Sequence, residues 1–208
     1  MNKILLWVLI VLGILIVLAG GLFIFASSRV RFEKPAVYLY PLEDSIISVK
    51  LNIDGKITET IPKYGSGWSV FAEKDGLINH QYDYLFYEAD LNSLKLPKTG
   101  WVVSYNDLSK WFDINLIKFG LNEKEKNQFK EYWLERLPKT NYYEVKILEE
   151  DFLKQNMELL ISPEPDTLIR LNFYFKPLEQ KINIQEPIIN TPQRIGFTVV
   201  EWGGMVDN

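Results

Sequence analysis

The chain has 208 residues, and its 27 acidic and 23 basic side chains give a formal net charge of −4. A chain with this balance has no broad cationic field to hold nucleic acid, so we expect no nucleic-acid partner. It contains no cysteine and a single histidine, His80, which excludes disulfides, thiolate metal sites and two-histidine metal sites within one chain. The sequence indicates no metal and no cofactor.

An unbroken apolar run extends from Ile4 to Ala26 without a charged residue or a proline. It matches the roughly 20 residues that a helix needs to cross a bilayer and exceeds the roughly 7 to 15 apolar residues of a cleavable signal peptide. The run predicts a transmembrane signal anchor at residues 1–28, followed by one soluble domain at residues 29–208. Basic residues after the run favour a cytoplasmic domain, whereas the short basic lead before it favours export, so the charges leave the orientation open.

Segments rich in β-branched and aromatic residues predict strands in the first half of the soluble domain. The first is AVYLY between Pro35 and Pro41, and we expect the two prolines to end it. Tyr82–Tyr87 is apolar or aromatic at nearly every position, which is typical of a central strand covered on both faces. The predicted strands lie at residues 36–40, 47–53, 56–61, 68–72, 82–87 and 100–104.

Asp54 and Gly55 mark a turn between the second and third of these strands. A two-residue loop would put Ile57 on the polar face, whereas a three-residue loop pairs Ile53 with Ile57. We therefore predict a hairpin with the longer loop.

Helical spacing begins after the sixth strand. Apolar residues recur at helical intervals over residues 108–116, and Gly120 suits the left-handed residue at the end of a helix. Asn122 and Glu125 have the spacing of a capping box for a second helix, which Pro138 ends. These patterns predict two helices that pack side by side on the sheet.

Strand signals return at residues 142–148, 158–161, 167–175 and 196–202. Pro163–Asp166 predicts a hairpin turn between the second and third of these strands, and Leu178–Gln193 predicts an extended connection bounded by prolines. Because the strands are grouped on either side of one helical block, we expect an α+β fold with a mostly antiparallel sheet and a helix pair packed on it.

Four blocks of the sequence are distinctive when taken together: KPAVYLYP at 34–41, GWSVFAEKDG at 67–76, YDYLFYEA at 82–89 and GFTVVEWGG at 196–204. With these blocks the chain resembles an uncharacterised bacterial family of exported or membrane-anchored proteins, and the segments at 119–138 and 165–179 extend the likeness. Some relatives carry a lipoprotein cysteine before the Lys-Pro step, so the resemblance implies an extracytoplasmic domain, although this chain has no cysteine. It implies no activity and no site residues.

Acidic residues next to aromatic ones are the leading candidates for a functional site. Two carboxylates roughly 5 to 9.5 Å apart beside aromatic platforms are what glycoside hydrolysis requires, and aromatic residues with polar neighbours also suit sugar binding without catalysis. In the alternative interpretation, the glutamates point to solvent from strand ends and the aromatic side chains fill the core. The candidate binding residues are Trp68, Tyr84, Glu88, Trp101, Glu201 and Trp202.

His80 and the sequence GSGWS are weaker candidates. His80 lies near Asp83 and could serve as a general base near neutral pH, but a histidine at a turn edge explains the same position. GSGWS lacks the Gly-x-Ser-x-Gly spacing of a nucleophile elbow and is typical of a flexible turn.

These observations favour a membrane-anchored protein of the cell envelope whose domain binds a wall component or a neighbouring envelope protein, or has a structural role there. The alternative is an envelope carbohydrate-active hydrolase in which Glu88 and Glu201 act as paired carboxylates in one cleft. The two hypotheses differ in one geometric point, which is the separation of those carboxylates.

Overall fold

Residues 30–207 are described by the computed structural model, and they form ten strands, three α-helices and one 3₁₀ turn. The strands are β1 (Val30–Tyr40), β2 (Ser45–Ile53), β3 (Gly55–Ile61), β4 (Trp68–Ala72), β5 (Leu85–Leu91), β6 (Trp101–Ser104), β7 (Tyr142–Ile147), β8 (Met157–Ser162), β9 (Thr167–Leu178) and β10 (Thr198–Val206). The helices are α1 (Leu108–Lys118), α2 (Glu123–Arg136) and α3 (Glu150–Asn156), and the 3₁₀ turn at Tyr105–Asp107 leads into α1.

Seven of the strands form one large sheet in the order β3-β5-β1-β10-β9-β7-β6. Its neighbouring strands are antiparallel except β9 and β10, which run parallel. The other three strands form a small antiparallel sheet in the order β4-β2-β8. A parallel pair needs a long crossover connection, and residues 179–197 supply it without any helix or strand. We call this segment the strap.

The large sheet separates two hydrophobic cores. Along β1, Val37 and Leu39 point to the small sheet and α3, whereas Ala36 and Tyr38 point to α1 and α2. This alternation is the ordinary two-residue period of a strand that is covered on both faces. The domain therefore has three layers, in the order small sheet, large sheet and helix pair.

The ends of the two paired helices are fixed by residues that are close together in the sequence. Glu125 N donates to the Asn122 side chain at 2.9 Å, and Asn122 N donates to the Glu125 carboxylate at 2.8 Å, which completes a capping box at the start of α2. Gly120 has a φ of +97° between the two helices. Trp133 of α2 packs directly on β10, where Gly204 allows the close approach.

The strand β1 continues through Pro35, the residue that we expected to end it, because β1 has a bulge there. Its pairing shifts register at this point, and Lys34 has a left-handed φ of +58°. The extra residue changes which face the side chains take, so Phe32 and Val37 both point into the core beneath the small sheet. A bulge is one of the few places where a strand accepts a proline.

The α+β class, the mostly antiparallel pairing and the helix pair are confirmed, but the predicted architecture as a whole is wrong. It had a single sheet, whereas the strands divide between two sheets, and the helix α3 was not predicted. It also began with a membrane-spanning helix. No helix among residues 30–207 is long and apolar enough to cross a membrane, and the run at residues 4–26 lies outside the described residues.

Both predicted hairpins are wrong because their strands belong to different sheets. β2 pairs with β4 and β8, and β3 pairs with β5, so Asp54 and Gly55 carry the chain from one sheet to the other. Pro163–Asp166 makes the same passage between β8 and β9. In addition, β10 continues through Gly203 and Gly204, the residues that we expected to end it.

Candidate ligand-binding cleft

The six residues predicted to bind a ligand do not form one site. Trp68 is 2% exposed in the core beneath the small sheet, where its Nε1 donates to Pro62 O at 2.8 Å and Tyr64 packs edge-on against its ring. Trp202 is fully buried on the other face of the large sheet. Both tryptophans therefore belong to the cores and offer no surface to a ligand.

Glu88 and Glu201 point to opposite faces of the large sheet. Tyr87, which precedes Glu88 on β5, donates to Glu201 at 2.7 Å on the side of the small sheet. Since side chains alternate along a strand, Glu88 points to the helix side, where it accepts a hydrogen bond from Arg31 at 2.6 Å. The two carboxylates therefore do not share a cleft.

Glu201 is the centre of a buried polar cluster between the two sheets. Its carboxylate accepts from Arg170 Nε at 2.7 Å, from Asn172 Nδ2 at 2.8 Å and from Tyr87. Burial, together with the Glu201 charge, raises the pKa of Tyr87 well above its ordinary value, so its phenol remains a donor. Because Glu201 is completely buried, its carboxylate is out of reach of a ligand.

Tyr84 lies in a cleft of about 490 Å³ that we call the lysine cleft, lined by Lys34, Tyr84, Phe86 and their neighbours. The Lys34 ammonium lies 5.0 Å from the centre of the Tyr84 ring and 4.8 Å from that of Phe86. Tyr132 of α2 contributes a third ring at 5.6 Å. A cation of the chain itself therefore already occupies the aromatic faces of this cleft.

A second cleft of about 490 Å³ lies at one edge of β9, and of the six predicted residues only Trp101 lines it. Phe119, the strand β9 and strap residues between 187 and 192 complete its lining. Ile188 of the strap is 90% exposed and Leu168 of β9 is 44% exposed, so apolar side chains from two segments face water together here. We call this site the edge cleft.

One edge of β9 is open along this cleft. β7 stops pairing with β9 at Phe173, and Leu148 N then donates to Asn172 O at 2.8 Å before the chain turns into α3. Since alternate residues direct their backbone groups to the same edge, the N–H and C=O of Leu168 and Arg170 point the same way as those of Asn172. No strand within residues 30–207 pairs with this part of the edge.

Charged side chains stand beside the edge cleft. Glu149 and Glu150, at the start of α3, are exposed at its rim, and Glu150 also contacts Lys154 at 2.7 Å. Arg170 contributes to the wall, but its side chain is only 8% exposed and its charge is matched by that of Glu201. Since Lys154 matches the charge of Glu150, the remaining charge of Glu149 makes the rim net acidic.

The strap is held against the domain near both of its ends. Gly100 N donates to Gln185 O at 3.0 Å, and Arg194 makes two hydrogen bonds, at 2.8 and 3.0 Å, to the fully buried carboxylate of Glu125. The Arg194 guanidinium also lies over the ring of Tyr40 at 4.9 Å. These contacts fix the segment between them, which forms one wall of the edge cleft.

His80 occupies the tip of the turn between Ile78 and Tyr82, which pair with each other. Asn79 and His80 have φ values of +51° and +56°, and Gln81 N donates to Ile78 O at 3.0 Å, which is the pattern of a type I′ turn. The His80 side chain is 74% exposed and contacts the Glu73 carboxylate at 2.7 Å. This position fits the turn-edge interpretation. Within residues 30–207 no three metal-binding side chains cluster together.

No sequence motif singles out Leu168 or Ile188, which lie in a predicted strand and in a predicted connection. The cleft forms because β7 ends early and the strap forms a wall of the open space, and no sequence motif marks either feature. The length of the strap was an available signal, because connections longer than about 15 residues without helix or strand are uncommon in compact domains and are often functional.

The chain matches no protein-family model, no curated protein and no solved structure. The predicted resemblance to exported or membrane-anchored bacterial proteins therefore stays a prediction.

Proposed function

We propose that residues 30–207 form a binding module, and that the edge cleft holds its ligand. The observation that carries this proposal is the presence in one cleft of exposed apolar side chains and an unpaired strand edge. Apolar side chains that face water favour any partner that covers them. The open edge adds N–H and C=O groups that are directed into the same space.

The hydrolase with paired carboxylates is not the function that the site supports. Its two glutamates lie on opposite faces of the large sheet, and Glu201 is completely buried in its bonds to Arg170, Asn172 and Tyr87. A glycosidase needs both carboxylates on either side of one scissile bond. A module that binds a ligand without catalysis does not need two carboxylates in one cleft.

The envelope location belongs to the same proposal, with a wall component or another envelope protein as the partner. It is supported by the resemblance to exported bacterial proteins. The absence of cysteine makes a clean test possible, because Ser66→Cys places a single thiol at an exposed turn. We expect a membrane-impermeant maleimide to label this thiol in intact cells, and labelling only after lysis would place the domain in the cytoplasm.

Site-specific photo-crosslinking tests the edge cleft as the binding site. A benzophenone amino acid introduced at Ile188 of the full-length chain is expected to give one discrete adduct in cells. Ile46 and Ile114 are exposed apolar residues outside the cleft, on the small sheet and on α1, and they serve as matched positions.

The adduct has to depend on the cleft. Leu168→Arg is expected to suppress the adduct at Ile188, because it puts a charge on the apolar surface of the cleft. Ile117→Arg, at an exposed position of α1, is the control that should leave it unchanged. If Ile188 gives the same adducts as Ile46 and Ile114, or none, the edge cleft is not the binding site.

A further inference from the structure

We infer that the ligand of the edge cleft is an extended segment of another polypeptide, which adds to the open edge of β9 as a further strand. The inference rests on the proposed function, because it names the class of ligand that the cleft binds. The added strand would continue the large sheet in the space where β7 has ended.

The open edge provides the backbone groups that such a strand needs. The free part of β9, at residues 167–171, is about 17 Å long at the usual rise of a strand. Leu168 and Arg170 each direct one N–H and one C=O to this edge. An extended peptide can pair with all four groups, because it repeats its own donors and acceptors with the same spacing.

The edge also has a pocket on each face of the sheet. On the helix side, Trp101 and Phe119 line the edge cleft. On the opposite face, Leu148 and Leu153 line a smaller cavity of about 180 Å³, which also touches Leu168 and Arg170. Side chains of an added strand alternate between the two faces, so successive side chains would enter the two pockets in turn.

The lining indicates the chemistry of the segment. Both pockets present mainly apolar side chains, which favours a segment with apolar residues at successive positions along the free edge. The exposed Glu149 at the rim favours a lysine or arginine at one end of the segment and disfavours an acidic residue there. A sugar lacks the regular amide donors and acceptors that this edge would pair with.

A backbone-specific substitution tests strand addition. Random linear peptides of about eight residues, displayed on phage, are selected for binding to the full-length chain. The recovered peptides are then measured on Leu168→Pro and Leu168→Ala. Proline removes the N–H that faces the open edge and breaks no pairing with β10, whereas alanine shortens the side chain and keeps the N–H.

We expect Leu168→Pro to weaken peptide binding by about tenfold or more, and Leu168→Ala to weaken it by clearly less. Equal losses in the two variants would overturn strand addition. The same question can be asked with the protein unaltered, by N-methylation of alternate amides of the peptide. Methylation on one set of alternate amides should abolish binding and on the other set should not, and equal effects of the two sets would overturn the inference.

Failure of this inference differs from failure of the proposed function. If no recovered peptide depends on residue 168 while the Ile188 adduct still forms and is suppressed by Leu168→Arg, the ligand is not an added strand, and the edge cleft remains a binding site. If the recovered peptides do depend on the Leu168 N–H and carry basic residues at one end, the inference is supported.

Discussion

Arg170 Nε donates to Glu201 Oε2 at 2.7 Å across the parallel pair of β9 and β10, and the two side chains are only 8% and 0% exposed. The pair lies between the two sheets, directly behind the edge cleft. Burying two charges costs desolvation free energy, which their mutual attraction and the hydrogen bonds from Asn172 and Tyr87 offset. Removing one partner therefore leaves the other as an uncompensated buried charge.

Glu201→Gln is expected to lower the free energy of unfolding by about 3 kcal/mol or more, because the buried Arg170 loses its counter-charge. Glu88→Gln is the matched control, since its partner Arg31 is 64% exposed, and we expect a loss of about 1 kcal/mol or less. Urea unfolding of both variants checks the difference. Equal losses would mean that the Arg170–Glu201 pair does not have this structural role.

Gly204→Ala is expected to lower the free energy of unfolding by about 1 to 3 kcal/mol through overpacking. An added Cβ would lie 2.7 Å from Phe173 O and 2.9 Å from Trp133 Cζ2, between β9 and α2. Gly65→Asn is the control, because a Cβ there meets nothing within 4 Å and asparagine tolerates its φ of +61°. A melting temperature that falls as much in Gly65→Asn as in Gly204→Ala would contradict this explanation.

Local features of the fold could be predicted from the sequence because their causes are local. The capping box of Asn122 and Glu125 and the left-handed Gly120 depend only on residues a few positions apart. Strand pairing is different, since an alternating strand such as β2 can bury its apolar face against any complementary partner. The turn at Asp54 and Gly55 fits a hairpin and a passage between sheets equally well, and only tertiary packing decides.

The candidate site could not be predicted from short sequence patterns, because it also depends on how the strands are arranged in space. The strand predicted at Tyr82–Tyr87 lies at Leu85–Leu91, where it is covered on both faces and includes Glu88. The relative faces of Glu88 and Glu201 depend on how β5, β1 and β10 are ordered. The edge cleft exists because β7 ends early and the strap forms a wall of the space that is left. No short sequence pattern predicts that a strand edge will remain unpaired.

The pair of Asp83 and Lys124 should make part of the stability depend on pH. The Lys124 ammonium, at 2.6 Å, lowers the pKa of Asp83 below its ordinary value. A carboxyl with a lowered pKa in the folded state contributes stability above its unfolded pKa, and this contribution is lost as the pH falls through the folded pKa.

Asp83→Asn should therefore lower the free energy of unfolding most near neutral pH. The loss should be less than about 1 kcal/mol, because the Asp83 side chain is 41% exposed. The difference from the unaltered protein should shrink below about pH 4. Urea unfolding at several pH values checks this, and Lys124→Met should show the same trend. A difference that grows on acidification would contradict the assigned direction.

Arg194→Ala is expected to release the end of the strap and to leave Glu125 as a buried, uncompensated carboxylate. The free energy of unfolding should fall by about 3 kcal/mol or more. Thermolysin should also cleave the strap near Ile182 and Ile188 faster in native buffer, because the strap no longer has its bidentate contact with α2. Lys181→Ala, an exposed strap position, is the matched control.

The site of cleavage distinguishes local release from general instability. If Arg194 holds the strap, the first cuts in Arg194→Ala fall within residues 179–193, and Lys181→Ala is cut at the rate of the unaltered protein. The same variant should weaken ligand binding at the edge cleft, since the strap forms one wall of it. First cuts spread over the whole domain would show that Arg194 stabilises the fold generally and does not act as an anchor for the cleft wall.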